Sequence, residues 1–85
     1  MESEALPLVG LQTLRVGDCA VVRRVNSPNS NLRRRLLEMG LVTGSKISLV
    51  RFAPLGDPLE ISLRGYRLSL RKEEASRVLV ERIVE

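Results

Sequence analysis

The feature that most constrains the fold is a pair of alternating segments on either side of one glycine. LEISLR (59–64) places an apolar side chain at every second position, and YRLSLR (66–71) does so again after Gly65. Successive side chains of a strand point to opposite faces, so each segment predicts a strand with one buried face. A glycine between two such strands is typical of a tight turn, and the pair therefore predicts a β-hairpin.

Three other segments are also predicted to be strands. Cys19–Val25 and Arg77–Val84 are both rich in β-branched residues, which fit a pleated sheet well. In 46–52 the apolar residues keep one parity up to Leu49 and take the other from Val50 onwards. This slip indicates a β-bulge or a change of partner strand near Val50.

One amphipathic helix is predicted over 32–39, after the first of these strands. Its apolar residues share one face at helical spacing: Leu32, Leu36 and Met39. Three residues before it can cap its amino end: Asn29, Ser30 and Asn31. Gly40 follows at the position where many helices end in the left-handed conformation, which glycine adopts easily.

The outer face of this helix is a candidate docking surface. The arginines at 33–35 are separated by about 100° around the axis, so they cannot form one basic patch. Arg34 and Glu38 fall opposite the apolar stripe, and Leu37 lies off it. An apolar side chain beside charged ones on an outer face is a candidate anchor for a partner.

The order of elements predicts a mainly β fold. Leu6–Val16 is compatible with a short helical turn and Lys72–Ser76 with another, so the larger elements are a strand, a helix and four strands. In 85 residues this order predicts a small closed barrel, whose closure would remove exposed sheet edges. We expect a single domain over residues 1–85, frayed at Met1–Ala5, with an aliphatic core because aromatic residues make up only 2% of the chain.

Several kinds of chemistry lack their usual residues. The chain has no histidine and one cysteine, so the common catalytic base and the ordinary zinc or iron–sulfur ligand sets are missing within one chain. It also has no P-loop and no dinucleotide-binding motif. These features predict a protein that is not an enzyme, with no cofactor and no metal site. Cys19 is expected to be a small buried hydrophobe, with a reactive or metal-linked thiol as the alternative.

The same residues predict a location. One cysteine allows no intrachain disulfide, which favours a reducing compartment. No run of about 18 apolar residues is present, and the first ten residues carry acids where a signal peptide needs Lys or Arg. These observations predict a soluble cytoplasmic protein.

The loop over 53–58, APLGDP, has a strongly restricted backbone. Pro54 and Pro58 fix their own φ angles and push the residues before them towards extended conformations. Leu55 lies at the tip of this loop and Asp57 follows Gly56. The loop is either a stiff connector that sets the hairpin register or a preformed binding loop, whose ordering costs little when a partner arrives.

Three motifs in order carry a family resemblance: RLLEMGLVTGS (35–45), APLGDP (53–58) and LSLRKEEA (68–75). Together they make residues 11–84 resemble the FeoA family, the small cytosolic partners of the ferrous iron transporter FeoB. The resemblance implies an SH3-like β-barrel with a short helix inserted after the first strand. It also implies a non-enzymatic accessory role in bacterial Fe(II) uptake, through protein–protein interaction with FeoB, which has a cytosolic GTPase domain.

With FeoB as the expected partner, five residues are candidates for partner contacts. They lie on the outer helix face and in the loop: Arg34, Leu37, Glu38, Leu55 and Asp57. A proline-rich peptide is not the expected ligand, because an SH3 groove needs aromatic side chains and only Phe52 and Tyr66 are present. Self-association stays open.

Two alternative functions remain open. The first is a basic small barrel that binds nucleic acid, since the net charge is +4 and 12 of the 14 basic residues are arginines. Interspersed acids and the lack of stacking aromatics count against it. The second is a regulatory domain that senses metal through carboxylates, because similar domains occur at the carboxyl end of iron-dependent repressors. This chain has no helix-turn-helix of its own, which favours the transport role.

Overall fold

The computed structural model describes residues 7–84, and the predicted frayed segment Met1–Ala5 lies outside them. Six strands and two helices follow one another along this part of the chain: β1 Val9–Gly10, β2 Cys19–Val25, α1 Ser30–Glu38, β3 Lys46–Phe52, β4 Leu59–Leu63, β5 Tyr66–Leu70, α2 Lys72–Ser76 and β6 Val78–Arg82. A short 3-10 turn, Leu11–Thr13, follows β1. Within residues 7–84, no helix is long and apolar enough to cross a membrane.

All six strands join one antiparallel sheet in the order β1-β6-β2-β3-β4-β5. The predicted hairpin is β4–β5, with Leu63 opposite Tyr66 across the turn. Arg64 and Gly65 both have positive φ, 52° and 87°, which is the backbone of a type I′ turn and matches the twist of the two strands. The register of β3 against β4 shifts between Leu49 and Arg51, so the predicted bulge near Val50 is confirmed.

The core is aliphatic, as expected. Among residues 7–84 it contains sixteen buried residues, all of them Leu, Ile, Val or Ala: Leu11, Leu14, Ala20, Val22, Val25, Leu36, Leu41, Ile47, Leu49, Leu59, Ile61, Leu63, Leu70, Ala75, Val78 and Val80. Every strand from β2 to β6 contributes to this cluster, and α1 and α2 each contribute one residue. Phe52 only packs against its margin. The fold is mainly β, as predicted.

Three details differ from the sequence-based expectations. The segment read as a helical turn also contains β1, which pairs with β6 over only two residues and is too short to show an alternating pattern. Cys19 is partly buried rather than buried, because Ala20 and Val22 take the core-facing positions of β2. The predicted barrel is not closed by strand pairing: the sheet order has two ends, so among the described residues β1 and β5 remain edge strands.

Candidate partner-binding site

The amino end of α1 is held by one side chain among the predicted capping residues. The Asn29 carboxamide oxygen accepts hydrogen bonds from the backbone N–H groups of Asn31 and Leu32, at 2.9 and 3.1 Å. These groups have no partner within the helix, so the cap satisfies two of them. The helix therefore begins at Ser30, two residues before the predicted start.

The carboxyl end of α1 forms a Schellman motif. The Leu41 N–H donates to the Leu36 carbonyl at 3.2 Å, and the Gly40 N–H donates to the Leu37 carbonyl at 3.0 Å. Gly40 has a φ of 103°, as its left-handed position requires. Leu36 and Leu41 are both fully buried, which fixes the end of the helix against the core.

The outer face of α1 carries the three candidate residues predicted there. Arg34 and Glu38 are exposed, and Leu37 retains 38% of its accessible surface. The Arg34 guanidinium donates to the Asn31 carboxamide oxygen at 3.2 Å, so it is held along the helix surface. This face therefore presents a half-exposed leucine between an arginine and a glutamate.

The loop over 53–58 is restrained by backbone hydrogen bonds as well as by its prolines. The Gly56 N–H donates to the Ala53 carbonyl at 2.7 Å, and the Ala53 N–H donates to the Pro58 carbonyl at 2.9 Å. Pro54 occupies the second position of the turn that the first bond closes, where proline is favoured. Leu55 at the tip is 95% exposed, the highest value among the exposed large apolar residues of the described chain.

Helix α2 connects the two groups of candidate residues. On one side, the Arg35 guanidinium of α1 forms an ion pair with the Glu74 carboxylate of α2. On the other side, the Asp57 carboxylate accepts a hydrogen bond from the Lys72 N–H at 3.0 Å, so the loop is tied to the start of α2. Two bonds of α2 thus link α1 on one side and the loop on the other, and Asp57 has a structural bond as well as exposure.

An open cleft lies between α1 and α2. Its volume is about 450 Å³, and both helices and their caps line it: Asn29, Asn31, Leu32, Arg35, Arg71, Glu73 and Glu74. Six of these seven residues are polar or charged, and both signs of charge are present. Such a cleft suits hydrogen-bonded contact with a protein surface better than capture of an apolar small molecule.

Sequence reasoning missed the bridging role of α2. Glu73 and Glu74 lie in the first turn of α2, and Glu74 is partly buried. Its carboxylate also accepts a hydrogen bond from the Arg71 N–H at 2.9 Å. A glutamate three residues after the residue that precedes a helix is a known capping signal, so this bond could have been predicted. The ion pair to Arg35 depends on how the two helices pack and could not.

Possible metal ligands do not cluster within residues 7–84. No group of three or more His, Cys, Asp or Glu side chains in this part of the chain is placed to hold a metal ion. Four of the acids in these residues instead pair with an arginine or accept a hydrogen bond from a backbone N–H group: Asp18, Asp57, Glu74 and Glu81.

The chain is similar to known proteins along most of its described length. A model of the FeoA domain matches residues 9–82, which is nearly all of the described chain. This chain belongs to the FeoA family. A curated relative supports the assignment: an Fe(2+) transport protein A/Fe(2+) transporter FeoB fusion protein of Porphyromonas gingivalis is 44% identical over 73 residues. Those residues are 86% of this chain but only 8% of the fusion protein.

Solved structures of FeoA proteins have the same fold. The FeoA-like protein of Clostridium acetobutylicum is 41% identical, with a TM-score of 0.83 over 92% of this chain and 90% of the other. FeoA of Stenotrophomonas maltophilia, solved in complex with zinc and described as an SH3 domain protein, is 36% identical, with a TM-score of 0.76 over 86% and 89%. The SH3-like fold predicted for this chain is therefore confirmed.

A manganese-dependent transcriptional repressor shares the fold as well. It superposes with a TM-score of 0.84 over 94% of this chain and 39% of its own, at 17% identity. At that identity the likeness concerns the fold alone, since one fold serves many functions. The FeoA domain itself is tied to ferrous iron transport through the fusion relative.

Proposed function

We propose that this FeoA protein is a non-enzymatic accessory factor of bacterial ferrous iron uptake, which acts by direct contact with a FeoB transporter. The observation that carries the proposal is the fusion relative, in which a domain 44% identical to this chain is part of the same polypeptide as FeoB. Covalent linkage raises the effective concentration of two modules that work together. A chain of the same family that is separate from FeoB would need a binding surface to achieve the same association.

The connected surface of α1, α2 and the 53–58 loop is the proposed contact. Two exposed apolar side chains, Leu37 and Leu55, supply anchors, and Arg34, Glu38 and Asp57 supply charged groups around them. Apolar anchors within a polar rim are the usual composition of a protein–protein interface. The loop is already restrained by its own hydrogen bonds, so little ordering accompanies its binding.

We place this action at the cytoplasmic face of the membrane, beside the GTPase domain that the family resemblance implies for FeoB. Anionic lipid headgroups there would favour a basic protein by about 1 kcal/mol for each nearby arginine. The net charge of +4 is suited to that position. Iron is the cargo of the transporter in this scheme, and the proposed role requires no metal site on this chain.

The direct test is a titration of this protein against the cytosolic part of FeoB and against full-length FeoB, each with and without guanine nucleotide. We expect saturable binding in at least one nucleotide state. No binding to either form in any state would remove the proposal.

The loop contact is tested by Leu55→Glu, which places a charge at the exposed tip. We expect normal folding, because the side chain is 95% exposed, and a loss of FeoB affinity of at least about tenfold, since a desolvated charge is costly at an interface. Val16→Glu is the matched control, as it changes another exposed apolar residue outside α1, α2 and the loop. Equal binding by the Leu55→Glu variant and the wild type would exclude Leu55 as an anchor.

A further inference from the structure

The free edge of β5 offers backbone groups in a fixed pattern. In an antiparallel pair, hydrogen-bonded and non-hydrogen-bonded residue pairs alternate, and the pair next to a two-residue turn is hydrogen-bonded. Leu63 and Tyr66 form that pair here, and Ile61 opposite Leu68 forms the next hydrogen-bonded one. The N–H and C=O groups of Arg67 and Ser69 therefore point away from β4, towards the outside of the sheet.

No other strand within residues 7–84 pairs with this edge. β5 ends the strand order, and its single partner in the sheet is β4. Arg67 and Ser69 are both exposed, and the Arg67 side chain keeps 62% of its accessible surface. A row of unpaired backbone groups on an exposed strand is a template for pairing with another chain.

The charge around the edge is positive. Arg64, Arg67 and Arg71 lie in and beside β5, and all three are exposed. The acid on the neighbouring strand β4 is already engaged, because Glu60 lies 3.5 Å from the Arg67 guanidinium and 3.8 Å from that of Arg51. A strand that arrives here meets a net excess of arginine.

This charge pattern selects the occupant. If two copies of β5 paired with each other, their arginine-rich edges would face one another, and like charges on adjacent strands are destabilising. The same arginines stabilise a strand that carries acids. In an incoming strand, the residue opposite Arg67 lies on the same face of the sheet as Arg67. The next residue of that strand lies on the other face, beside Leu68, which is only partly buried.

We propose that the β5 edge binds an extended acidic segment of a partner protein, which adds to the sheet as a further antiparallel or parallel strand. The backbone groups of Arg67 and Ser69 supply the hydrogen bonds, as in other cases of strand addition. The side chains of the segment alternate between acidic residues towards Arg67 and apolar residues towards Leu68. This edge adjoins the α1, α2 and loop surface, since Arg71 also lines the cleft between the helices, but it uses the backbone groups of β5. The proposal does not depend on which protein supplies the segment.

The test uses two synthetic peptides of eight residues, one alternating glutamate with valine and one alternating lysine with valine. Backbone amide spectra of the isotope-labelled full-length protein are recorded during titration with each. We expect the acidic peptide to shift the amide signals of Arg67 and Ser69 and to slow their hydrogen exchange, because these N–H groups become hydrogen-bonded. The basic peptide should leave them unchanged.

Two variants and one control separate the backbone and charge contributions. Ser69→Pro removes an N–H that points to the free edge, where proline is tolerated, and should weaken binding of the acidic peptide by at least about tenfold. Arg67→Glu should weaken it by about fivefold or more through the loss of the opposite-charge pair. Arg24→Glu makes the same change of charge at an exposed residue of β2 and should have little effect.

Other outcomes would overturn the proposal. Equal binding of the two peptides, or acidic-peptide shifts confined to α1 and the 53–58 loop, would show that the β5 edge is not selective for acids. Concentration-dependent dimerisation of the wild type that Arg67→Glu or Ser69→Pro abolishes would assign the edge to a second copy instead. If Ser69→Pro fails to fold, the map of amide shifts on the wild type and the Arg67→Glu titration still decide.

Discussion

The end of α1 and the 53–58 loop have similar local backbone conformations but different surroundings. Each contains a glycine in the left-handed region, Gly40 with a φ of 103° and Gly56 with a φ of 88°. A Cβ added at Gly40 would meet the Leu63 Cδ2 at 3.0 Å, whereas at Gly56 the nearest atom would be the Lys72 Nζ at 3.6 Å. The first glycine lies against the core, and the second lies at the surface beside a flexible side chain.

This difference shows two roles that a restrained backbone segment can have. At the end of α1, backbone hydrogen bonds and two buried leucines act together, so the restraint serves the packing of the fold. In the loop, similar hydrogen bonds hold Leu55 out in solvent, where it contributes little to the core. A backbone that is ordered without burying its apolar residue is suited to binding, because the ordering has already occurred.

The largest expected loss of stability comes from shortening the buried leucine at the end of α1. Leu36→Ala should lower the free energy of unfolding by about 2–5 kcal/mol, because it leaves a cavity at a fully buried position. Leu55→Ala should change it by less than about 0.5 kcal/mol, since an exposed tip has few contacts to lose. Urea denaturation followed by circular dichroism measures both. Equal losses in the two variants would contradict the contrast between the two regions.

Replacing each of the two glycines by alanine should give a smaller difference in the free energy of unfolding. An alanine in the left-handed region costs about 1–2 kcal/mol at either position. Gly40→Ala should add about 1–3 kcal/mol for crowding against Leu63, whereas Gly56→Ala has room for its methyl group. The same denaturation experiment gives the difference, which isolates packing because the backbone cost is common to both. Similar losses would show that Leu63 can move aside easily.

Much of the fold follows from local patterns in the sequence. The β4–β5 hairpin, the bulge in β3, the Asn29 cap and the Gly40 stop all depend on residues within a few positions of each other, so periodicity and turn chemistry predict them. β1 was missed because two residues cannot show a period. Its place in the sheet depends on β6, which lies about seventy residues later in the sequence, and only tertiary packing determines such a pairing.

The candidate site was predictable to a lesser extent. The exposure of Leu37 and Leu55 follows from helical spacing and from loop geometry, and the structure agrees with both expectations. The connection through α2 does not follow from any local pattern, because Arg35 and Glu74 are 39 residues apart. The partner contacts of these residues stay predictions.

The smallest expected effect concerns Asp57, which belongs to the loop but bonds to α2. Asp57→Ala removes the acceptor for the Lys72 N–H and should cost about 0.5–2 kcal/mol, the range measured for the loss of a helix cap. Asp57→Asn keeps an oxygen acceptor and removes the charge, so its free energy of unfolding should stay close to that of the wild type. Urea denaturation of both variants separates the hydrogen bond from the charge.

Titration of the same two variants with FeoB then shows whether Asp57 only restrains the loop or also contacts the partner. If Asp57 only anchors the loop, Asp57→Asn should bind normally, because the loop keeps its place. If its charge contacts the partner, Asp57→Asn should lose affinity while remaining as stable as the wild type, and added salt should narrow the gap between them. We expect the second result, since Asp57 is exposed although it holds the Lys72 N–H.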